Sequence, residues 1–297
     1  MSNLLVCGTV TYRQQSLERA LEGIAKSGFR AIEVSCISAY CDHIFPEQMT
    51  VGEMDRLGKL VESFGLRMAS IAGHIDLAWP LMGKRADIAQ FPQLAKNVDV
   101  AHEGFLLLRS RVDLADRLGV EIVNTGIGVT SDQKEVERFY KEFDALLGYA
   151  EKRKIKIGLE SHAGLTETAV ATLALCNKLG RSNVGLNYDA ANVRFYTGLD
   201  PVADLESCEK ELRDRIVHVH IKDHRGGKGN WDFPPLGEGE VNFKKLAAIF
   251  RRVGYNGPFS LEIQFHGPGT TDPTPEFIDE GIAASYRFMH NLGLENA

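Results

Sequence analysis

Polar side chains stand at the C-terminal ends of several short apolar segments, where a buried strand would ordinarily be apolar. Three are carboxylates and one is an imidazole: Glu160, Asp189, Glu262 and His220. Three buried carboxylates repel one another, and burying even one without a partner is costly. Carboxylate oxygens with one imidazole nitrogen form a donor set that suits Mn²⁺, Mg²⁺, Co²⁺ or Zn²⁺. We therefore expect these four residues to hold one divalent metal ion.

A metal site of this composition suits enolisation chemistry. The proton on the carbon next to a sugar carbonyl is too weakly acidic to leave unaided at neutral pH, and a divalent cation would stabilise the enediolate as it forms. One carboxylate would remove the proton, and a second would return a proton to the other face or to the neighbouring carbon. The first outcome is epimerisation and the second is isomerisation. We assign these acid and base roles to Glu160 and Glu262.

Other polar residues near the same segment ends are candidates for substrate contact. Lys222 or His162 would hold or polarise a substrate oxygen, and His74 stands at the end of the third apolar segment. Glu33 is a carboxylate inside an apolar segment, where it would orient His74 or bind a substrate hydroxyl. His218 precedes the expected metal-binding histidine by two residues, so it points to the same face one layer deeper. We expect it to be a hydrogen-bonded core histidine.

The elements that must position these residues follow an eightfold alternation of short apolar and longer amphipathic segments. The predicted strands are Leu4–Cys7, Ala31–Cys36, Arg67–Ile71, Glu121–Asn124, Lys156–Glu160, Val184–Asp189, Ile216–Ile221 and Phe259–Ile263. The segment 133–150 shows helical spacing most clearly. Eight strand–helix units predict an α/β fold, a single (β/α)8 TIM barrel spanning residues 1–297. A doubly wound sheet is the alternative, but no glycine-rich phosphate turn follows the first strand.

Two connections between predicted elements are long, residues 75–101 and 223–242. Both would lie on the C-terminal face of a barrel, where active sites of this fold are built. Their aromatic residues Trp79, Trp231 and Phe233 are candidates for the wall of a pocket at that face.

The composition is that of a folded globular protein, with 44% hydrophobic and 25% charged residues. The formal net charge of −6 argues against nucleic acid or an anionic membrane as a partner, because both bind basic surfaces. No segment approaches the ~20 apolar residues that cross a bilayer, and the N-terminus lacks the features of a secretory signal. The five cysteines include no C-x-x-C pair and indicate reduced thiols. We expect a cytoplasmic protein that binds a small molecule, with homo-oligomerisation left open.

Five motifs resemble those of the xylose-isomerase-like barrel superfamily and, more narrowly, its sugar (phosphate) isomerase/epimerase group. They are Gly158–His162, Asp189–Asn192, His220–Asp223, Pro235–Gly239 and Leu261–Glu262. The resemblance covers nearly the whole chain and implies one divalent metal ion, often Mn²⁺, on the four residues proposed above. In the ketose 3-epimerase branch the two matching glutamates are also acid and base. The resemblance further implies substrate contact for Asn192, where that branch often has histidine, and for Arg225, the nearest match to an arginine that follows the metal-binding histidine.

Three other functions fit parts of this pattern. A dehydratase acting on a keto-inositol or similar polyol would share the enolisation step, and His74 or His162 would protonate the leaving hydroxyl. The superfamily also includes a three-metal apurinic endonuclease, which needs histidines where this chain has Asn192 and Phe233. A non-catalytic sugar binder would need no acid or base. No basic run marks a phosphate site, which favours a free sugar or polyol over a sugar phosphate.

Overall fold

The computed structural model describes residues 3–37, 40–41, 43–74, 100–128, 133–265 and 273–296. Eight parallel strands form a closed barrel, in which every strand pairs with its neighbours in the chain and the first also pairs with the eighth. They are β1 (Leu4–Gly8), β2 (Ala31–Ser35), β3 (Arg67–Ala72), β4 (Ile122–Thr125), β5 (Lys156–Glu160), β6 (Val184–Asp189), β7 (Ile216–Ile221) and β8 (Pro258–Leu261). The predicted (β/α)8 TIM barrel is confirmed, and each predicted strand end differs from the observed one by about two residues or fewer.

Helices surround the barrel. In the described part of the chain they are α1 (Leu17–Lys26), α2 (Val51–Ser63), α3 (Val100–Leu118), α4 (Gln133–Glu151), α5 (Ala169–Leu179), α6 (Ala190–Thr197), α7 (Pro201–Ser207), α8 (Glu209–Leu212), α9 (Phe243–Arg252) and α10 (Pro275–Asn291). Short 3₁₀ segments occur at Thr9–Tyr12, Pro46–Gln48 and Leu294–Asn296. The helix predicted over 133–150 is α4. None of the helices within the described ranges combines the length and apolar character needed to cross a membrane.

Side chains just outside the helices set where they begin. The Thr50 hydroxyl accepts a hydrogen bond from the Glu53 amide, while the Glu53 carboxylate accepts one from the Thr50 amide. This capping box satisfies two backbone donors that the first turn of α2 leaves without partners. Thr274 and Asp200 cap α10 and α7, each directly before a proline at the first helical position. The helix starts are therefore encoded locally.

The apolar core lies between the outer face of the barrel and the inner faces of the helices. The apolar side chains that recur at helical spacing in α9 are buried, including Phe243, Leu246 and Phe250. In α10, by contrast, the apolar Phe277 is 53% exposed. Its ring packs edge-on against Phe265, which is partly buried against the core.

Polar side chains cross the interior of the barrel beneath its C-terminal mouth. The members of this polar layer are Glu33, Ser70, Asn124, Asn187, His218, His220 and Ser260, all buried. Strand pairing brings them together, since Glu33 is in register with Ser70 and His220 with Ser260. A barrel interior filled by such groups is stable only when the groups satisfy one another.

The connection 223–242 is organised by its first residue, an aspartate two positions after the end of β7. The Asp223 carboxylate accepts hydrogen bonds from four backbone amides at 2.9–3.1 Å. The donors are the amides of His224, Gly237, Gly239 and Val241. A β-carbon on Gly239 would lie 2.2 Å from Asp223 Oδ1, so glycine is needed there. The other long connection lies outside the described residues as far as residue 99, and Trp79 lies outside with it.

Candidate active site

A cavity of about 300 Å³ opens at the C-terminal mouth of the barrel. Its lining combines polar residues with aromatic rings. The polar ones are His74, Glu160, His162, Asn192, Tyr196, Lys222, Glu262 and Gln264. The aromatic ones include Tyr40, Phe195, Trp231 and Phe233. The aromatic residues of the long connection after β7 therefore contribute to the pocket wall, as the sequence predicted.

Three of the four predicted metal-binding side chains meet at the base of this cavity. Glu160 is the last residue of β5, His220 lies near the end of β7, and Glu262 directly follows β8. His220 Nδ1 lies 3.4 Å from Glu160 Oε1 and 3.6 Å from Glu262 Oε2. The candidate ligand atoms of the three residues all lie within 4.8 Å of one another. Such a group of carboxylate and imidazole ligands could hold a metal ion.

Asp189, the fourth predicted ligand, lies beside this group of three residues. It is the last residue of β6, in register with His220. Its Oδ1 accepts a hydrogen bond from the Asn192 amide at 2.9 Å and so caps α6. Within the described residues its buried Oδ2 has no hydrogen-bond partner, and Lys222 Nζ is 3.7 Å away. An unpartnered buried carboxylate oxygen is costly, and a cation would satisfy it.

The electrostatics of the cluster favour added positive charge. Burial raises the pKa of Asp189 to about 7, and the charges of Glu262 and Glu160 add to this effect. His220 shifts in the opposite sense: burial acts to lower its pKa, but Glu33, Glu160 and Glu262 raise it well above the ordinary value. Both shifts arise because several carboxylates share a small buried space. A divalent cation among these oxygens would relieve that repulsion, so the donor set fits a metal ion.

Lys222 and Asn192 connect the two glutamates. Lys222 Nζ donates hydrogen bonds to Glu262 Oε1 at 2.8 Å and to Asn192 Oδ1 at 3.2 Å. Asn192 Nδ2 donates in turn to Glu160 Oε1 at 3.0 Å. Gln264 Nε2 donates to Glu262 Oε1 at 2.7 Å. Burial acts to lower the pKa of Lys222, but the neighbouring carboxylates, Glu262 first, raise it, so the ammonium stays charged.

Two histidines and a tyrosine line another part of the cavity. His74 Nδ1 lies 3.4 Å from Glu160 Oε2, and the His74 and His162 ring centroids are 4.6 Å apart. His162 Nε2 is 2.7 Å from the Tyr196 hydroxyl. Burial, together with the neighbouring His74, lowers the pKa of His162 to about 3, so this imidazole is neutral at neutral pH. Both predicted histidines thus reach the cavity, and His74 also contacts a predicted catalytic glutamate.

Glu33 occupies a different place from the predicted one. It was expected to orient His74 or to bind a substrate hydroxyl, but it is 1% exposed and lies in the polar layer below the mouth. Its carboxylate accepts hydrogen bonds from Asn124, His220 and Ser260. Glu33 is in the middle of β2, one layer deeper than the strand ends. Its carboxylate therefore forms hydrogen bonds in the interior of the barrel and does not reach the cavity.

Arg225 also differs from the expectation of substrate contact. Its side chain is about half exposed, and its guanidinium pairs with Asp232 of the same loop at 2.7 Å. It is not among the described residues that line the cavity. The turn after Asp223 directs Arg225 along the surface of the loop, and spacing from His220 could not show the direction of that turn.

His218 is a buried core residue, as predicted. Its Nδ1 donates to Asn187 Oδ1 at 2.9 Å, and its Nε2 accepts from the Ser70 hydroxyl at 3.1 Å. The cavity residues Phe195, Tyr196 and Gln264 were not singled out from the sequence. Helical spacing could have identified Phe195 and Tyr196, because a helix that starts after Asp189 places residues 192, 195 and 196 on one face.

The sequence pattern of the family described as xylose isomerase-like TIM barrel matches residues 21–288. An L-ribulose-5-phosphate 3-epimerase of Escherichia coli is 24% identical over 234 residues, which cover 73% of this chain and 76% of that protein.

Two solved structures illustrate the likeness of fold. D-allulose 3-epimerase of Methylomonas sp., in complex with D-allulose, superposes with a TM-score of 0.69 at 19% identity, covering 98% of this chain and 97% of that one. A protein of Bacillus anthracis described as the probable 3-DHS dehydratase superposes with a TM-score of 0.67 at 18% identity, covering 98% and 99%. At these identities the similarity shows a shared barrel.

Proposed function

The chain belongs to the xylose isomerase-like TIM barrel family, and within it we propose that this protein is a divalent-metal-dependent isomerase or epimerase of a sugar or related polyol. It would move a proton on the carbon next to the substrate carbonyl. The observation that carries the proposal is the pair of buried glutamates, Glu160 and Glu262, that face the same nitrogen of His220 at the base of the cavity. The 3-epimerase names of the relative from Escherichia coli and the structure from Methylomonas sp. support it.

The metal ion would be held by Glu160, Asp189, His220 and Glu262. When bound, a divalent cation supplies Lewis-acid stabilisation of negative charge that develops on substrate oxygens. Asp189 Oδ2, which has no hydrogen-bond partner among the residues that the structure describes, and the crowding of carboxylates around His220 support a cation here. The oxygen-rich donor set with one imidazole suits Mn²⁺, which we propose as the ion, with Mg²⁺, Co²⁺ and Zn²⁺ as alternatives.

The two glutamates would move the proton. Glu160 takes it from the carbon next to the carbonyl, which leaves an enediolate, and Glu262 returns a proton to the other face or to the neighbouring carbon. The network on the other side of these carboxylates holds them in place: Asn192 donates to Glu160, and Lys222 donates to Glu262. The Lys222 ammonium would also bind a substrate oxygen on which negative charge increases.

Aromatic rings close the outer part of the cavity. The ring centroids of Phe195, Trp231 and Phe233 lie 5.2–5.5 Å from one another. Phe233 also lies over the Lys222 ammonium, with 4.5 Å between the nitrogen and the ring centroid. Such rings exclude water from the charged base and offer apolar surface to the carbon skeleton of a sugar.

The charge of the cavity lining bears on whether the substrate carries a phosphate. Of the described cavity residues, Lys222 is the one Lys or Arg side chain, which supports a free sugar or polyol as substrate.

Replacement of either glutamate by glutamine tests the acid and base assignment. We expect Glu160→Gln and Glu262→Gln each to lower kcat by roughly 10²–10⁴-fold, because an amide cannot transfer the proton. Turnover would be measured on the most active sugar of a panel of free ketoses, aldoses and inososes, with the metal content of each variant determined by mass spectrometry. Glu238→Gln, which alters an exposed glutamate, is the control. Full turnover by either cavity variant with metal still bound would disprove the assignment.

A dehydratase acting on a keto-inositol or similar polyol is the second candidate. The observation that favours it is the pair of His162 and Tyr196, whose polar atoms lie 2.7 Å apart in the cavity and could serve a leaving hydroxyl. Because the pKa of His162 is lowered to about 3, the imidazolium that would protonate a leaving hydroxyl is not populated at neutral pH, so the isomerase is preferred. Product analysis separates the two reactions, because an isomerase yields a product of unchanged mass and a dehydratase a product lighter by one water.

A further inference from the structure

We propose that Glu33 is a positioning residue for His220, holding the imidazole in the one tautomer and orientation that directs Nδ1 toward Glu160 and Glu262. This inference rests on the proposed metal site, because it concerns how the chain prepares one of its ligands. Glu33 and His220 are 187 residues apart in the sequence, so only the closed barrel brings the two together.

The carboxylate of Glu33 is held by donors from three other strands. Its Oε2 accepts hydrogen bonds from His220 Nε2 of β7 at 2.9 Å and from Ser260 Oγ of β8 at 2.8 Å. Its Oε1 accepts one from Asn124 Nδ2 of β4 at 2.6 Å. Because these bonds engage both oxygens and the side chain is buried, the carboxylate cannot rotate without breaking at least one of them.

This arrangement determines which nitrogen of His220 is available as a ligand. An ionised carboxylate can only accept hydrogen bonds, so the hydrogen in this contact is on His220 Nε2. A metal-binding imidazole is neutral, so its lone pair is then on Nδ1, where Asn187 Nδ2 lies 3.4 Å away. Nδ1 is the nitrogen that lies 3.4 Å from Glu160 Oε1 and 3.6 Å from Glu262 Oε2. A hydrogen bond on one side of the ring thus orients the ligand atom on the other.

The neighbouring His218 shows what the same strand does without this carboxylate bond. It is equally buried and lies two residues before His220, but neutral groups occupy both of its nitrogens. Asn187 Oδ1 accepts from Nδ1 and the Ser70 hydroxyl donates to Nε2. The distance from His218 Nε2 to Glu33 is 3.8 Å, too long for a hydrogen bond. The carboxylate therefore selects His220, and Ser70 provides a matched control.

The test compares metal binding by the wild-type chain and the variants Glu33→Gln, Glu33→Met and Ser70→Ala. Mn²⁺ affinity would be measured by titration calorimetry, and the imidazole ligand would be followed by the ¹⁴N couplings in pulsed electron paramagnetic resonance of bound Mn²⁺. We expect Glu33→Met to weaken binding about 100-fold and Glu33→Gln about tenfold, since glutamine keeps a neutral acceptor. Both should alter the ¹⁴N couplings. Ser70→Ala, which removes only a bond to His218, should stay within about twofold of wild type.

The outcomes separate this inference from the proposed function. If the wild-type chain binds no Mn²⁺ and none of the other three divalent ions, the proposed metal site fails. If the wild type binds Mn²⁺ and Glu33→Gln binds it with equal affinity and unchanged ¹⁴N couplings, the positioning role fails while the proposed function stands. Weaker binding with unchanged couplings would make Glu33 a remote charge and would also overturn the role. Should Glu33→Met fail to fold, as judged by circular dichroism, the glutamine variant decides.

Discussion

His74 reaches Glu160 because the chain has no side chain at Gly126. A β-carbon at this position would lie 2.0 Å from His74 Cε1, well inside van der Waals contact. The imidazole therefore lies directly over the backbone of the segment that follows β4, with Nδ1 3.4 Å from the Glu160 carboxylate. At the scale of single residues, the site depends on small groups that leave room as much as on polar groups that react.

Replacing Gly126 by alanine should displace the His74 ring. We expect Gly126→Ala to lower kcat/KM by about 10²-fold, because small misplacements of groups at a site have effects of this size. The overpacking should cost roughly 1–3 kcal/mol of unfolding free energy, which leaves the chain folded. The matched control is Gly227→Ala, since a β-carbon there would meet no atom within 4 Å. Wild-type kcat/KM in Gly126→Ala would show that the position of His74 does not matter.

At the scale of elements, the connection 223–242 between β7 and α9 is held by its first residue. Asp223 is the second residue after β7, the strand that contains His220. Its carboxylate accepts four amide hydrogen bonds from the loop that returns to α9. This explains in physical terms why the motif 220–223 is followed by the glycine-containing motif 235–239. The aspartate and the glycines form one unit, and that unit places Trp231 and Phe233 at the cavity.

Removing the charge of Asp223 should loosen this connection. An asparagine would present an NH₂ group to amides that also donate, so at least one buried donor would lose its acceptor. We expect Asp223→Asn to lower the free energy of unfolding by about 2–3 kcal/mol and to speed amide hydrogen exchange across 226–240. Asp232→Asn in the same loop removes a partly exposed ion pair with Arg225 and should cost less than about 1 kcal/mol. Equal exchange rates in Asp223→Asn and wild type would contradict the proposed anchoring.

At the scale of the whole molecule, closure of the barrel brings chemically matched strand ends to one place. Parallel strands all present their C-terminal ends at the same face, so Glu160, Asp189, His220 and Glu262 converge from β5, β6, β7 and the end of β8. A cation bound there would connect four consecutive strands in addition to their backbone hydrogen bonds. Metal binding and stability of the barrel should therefore be coupled.

Removal of metal tests this coupling. Treatment with a chelator should abolish turnover and lower the thermal midpoint, and added Mn²⁺ should restore both. At a free metal concentration of about 100 times Kd, the expected stabilisation is roughly 2.7 kcal/mol. Asp189→Asn, which weakens one ligand, should show a smaller rise in midpoint over the same titration. Identical melting of the metal-free and metal-loaded chain would argue against a site shared by the four strands.

The strands, the helix over 133–150 and the position of the four proposed ligands at strand ends could be predicted from the sequence itself. These are local properties: a period of two or 3.6 residues, a capping residue or a polar residue at a strand end can be recognised within about ten positions. For the same reason His218 could be assigned to the layer below His220, because alternation along one strand sets its depth.

Contacts between residues of different strands and loops could be established only from the tertiary structure. Glu33 lies under His220 because β2 and β7 meet across the barrel interior, while Arg225 turns away to Asp232. Asn192 of α6 and Lys222, the residue after β7, join the two glutamates. Spacing along one segment carries no information about such contacts, since they depend on strand register, barrel closure and the direction of a turn. The sequence therefore named most of the groups at the site, and packing determined which of them touch.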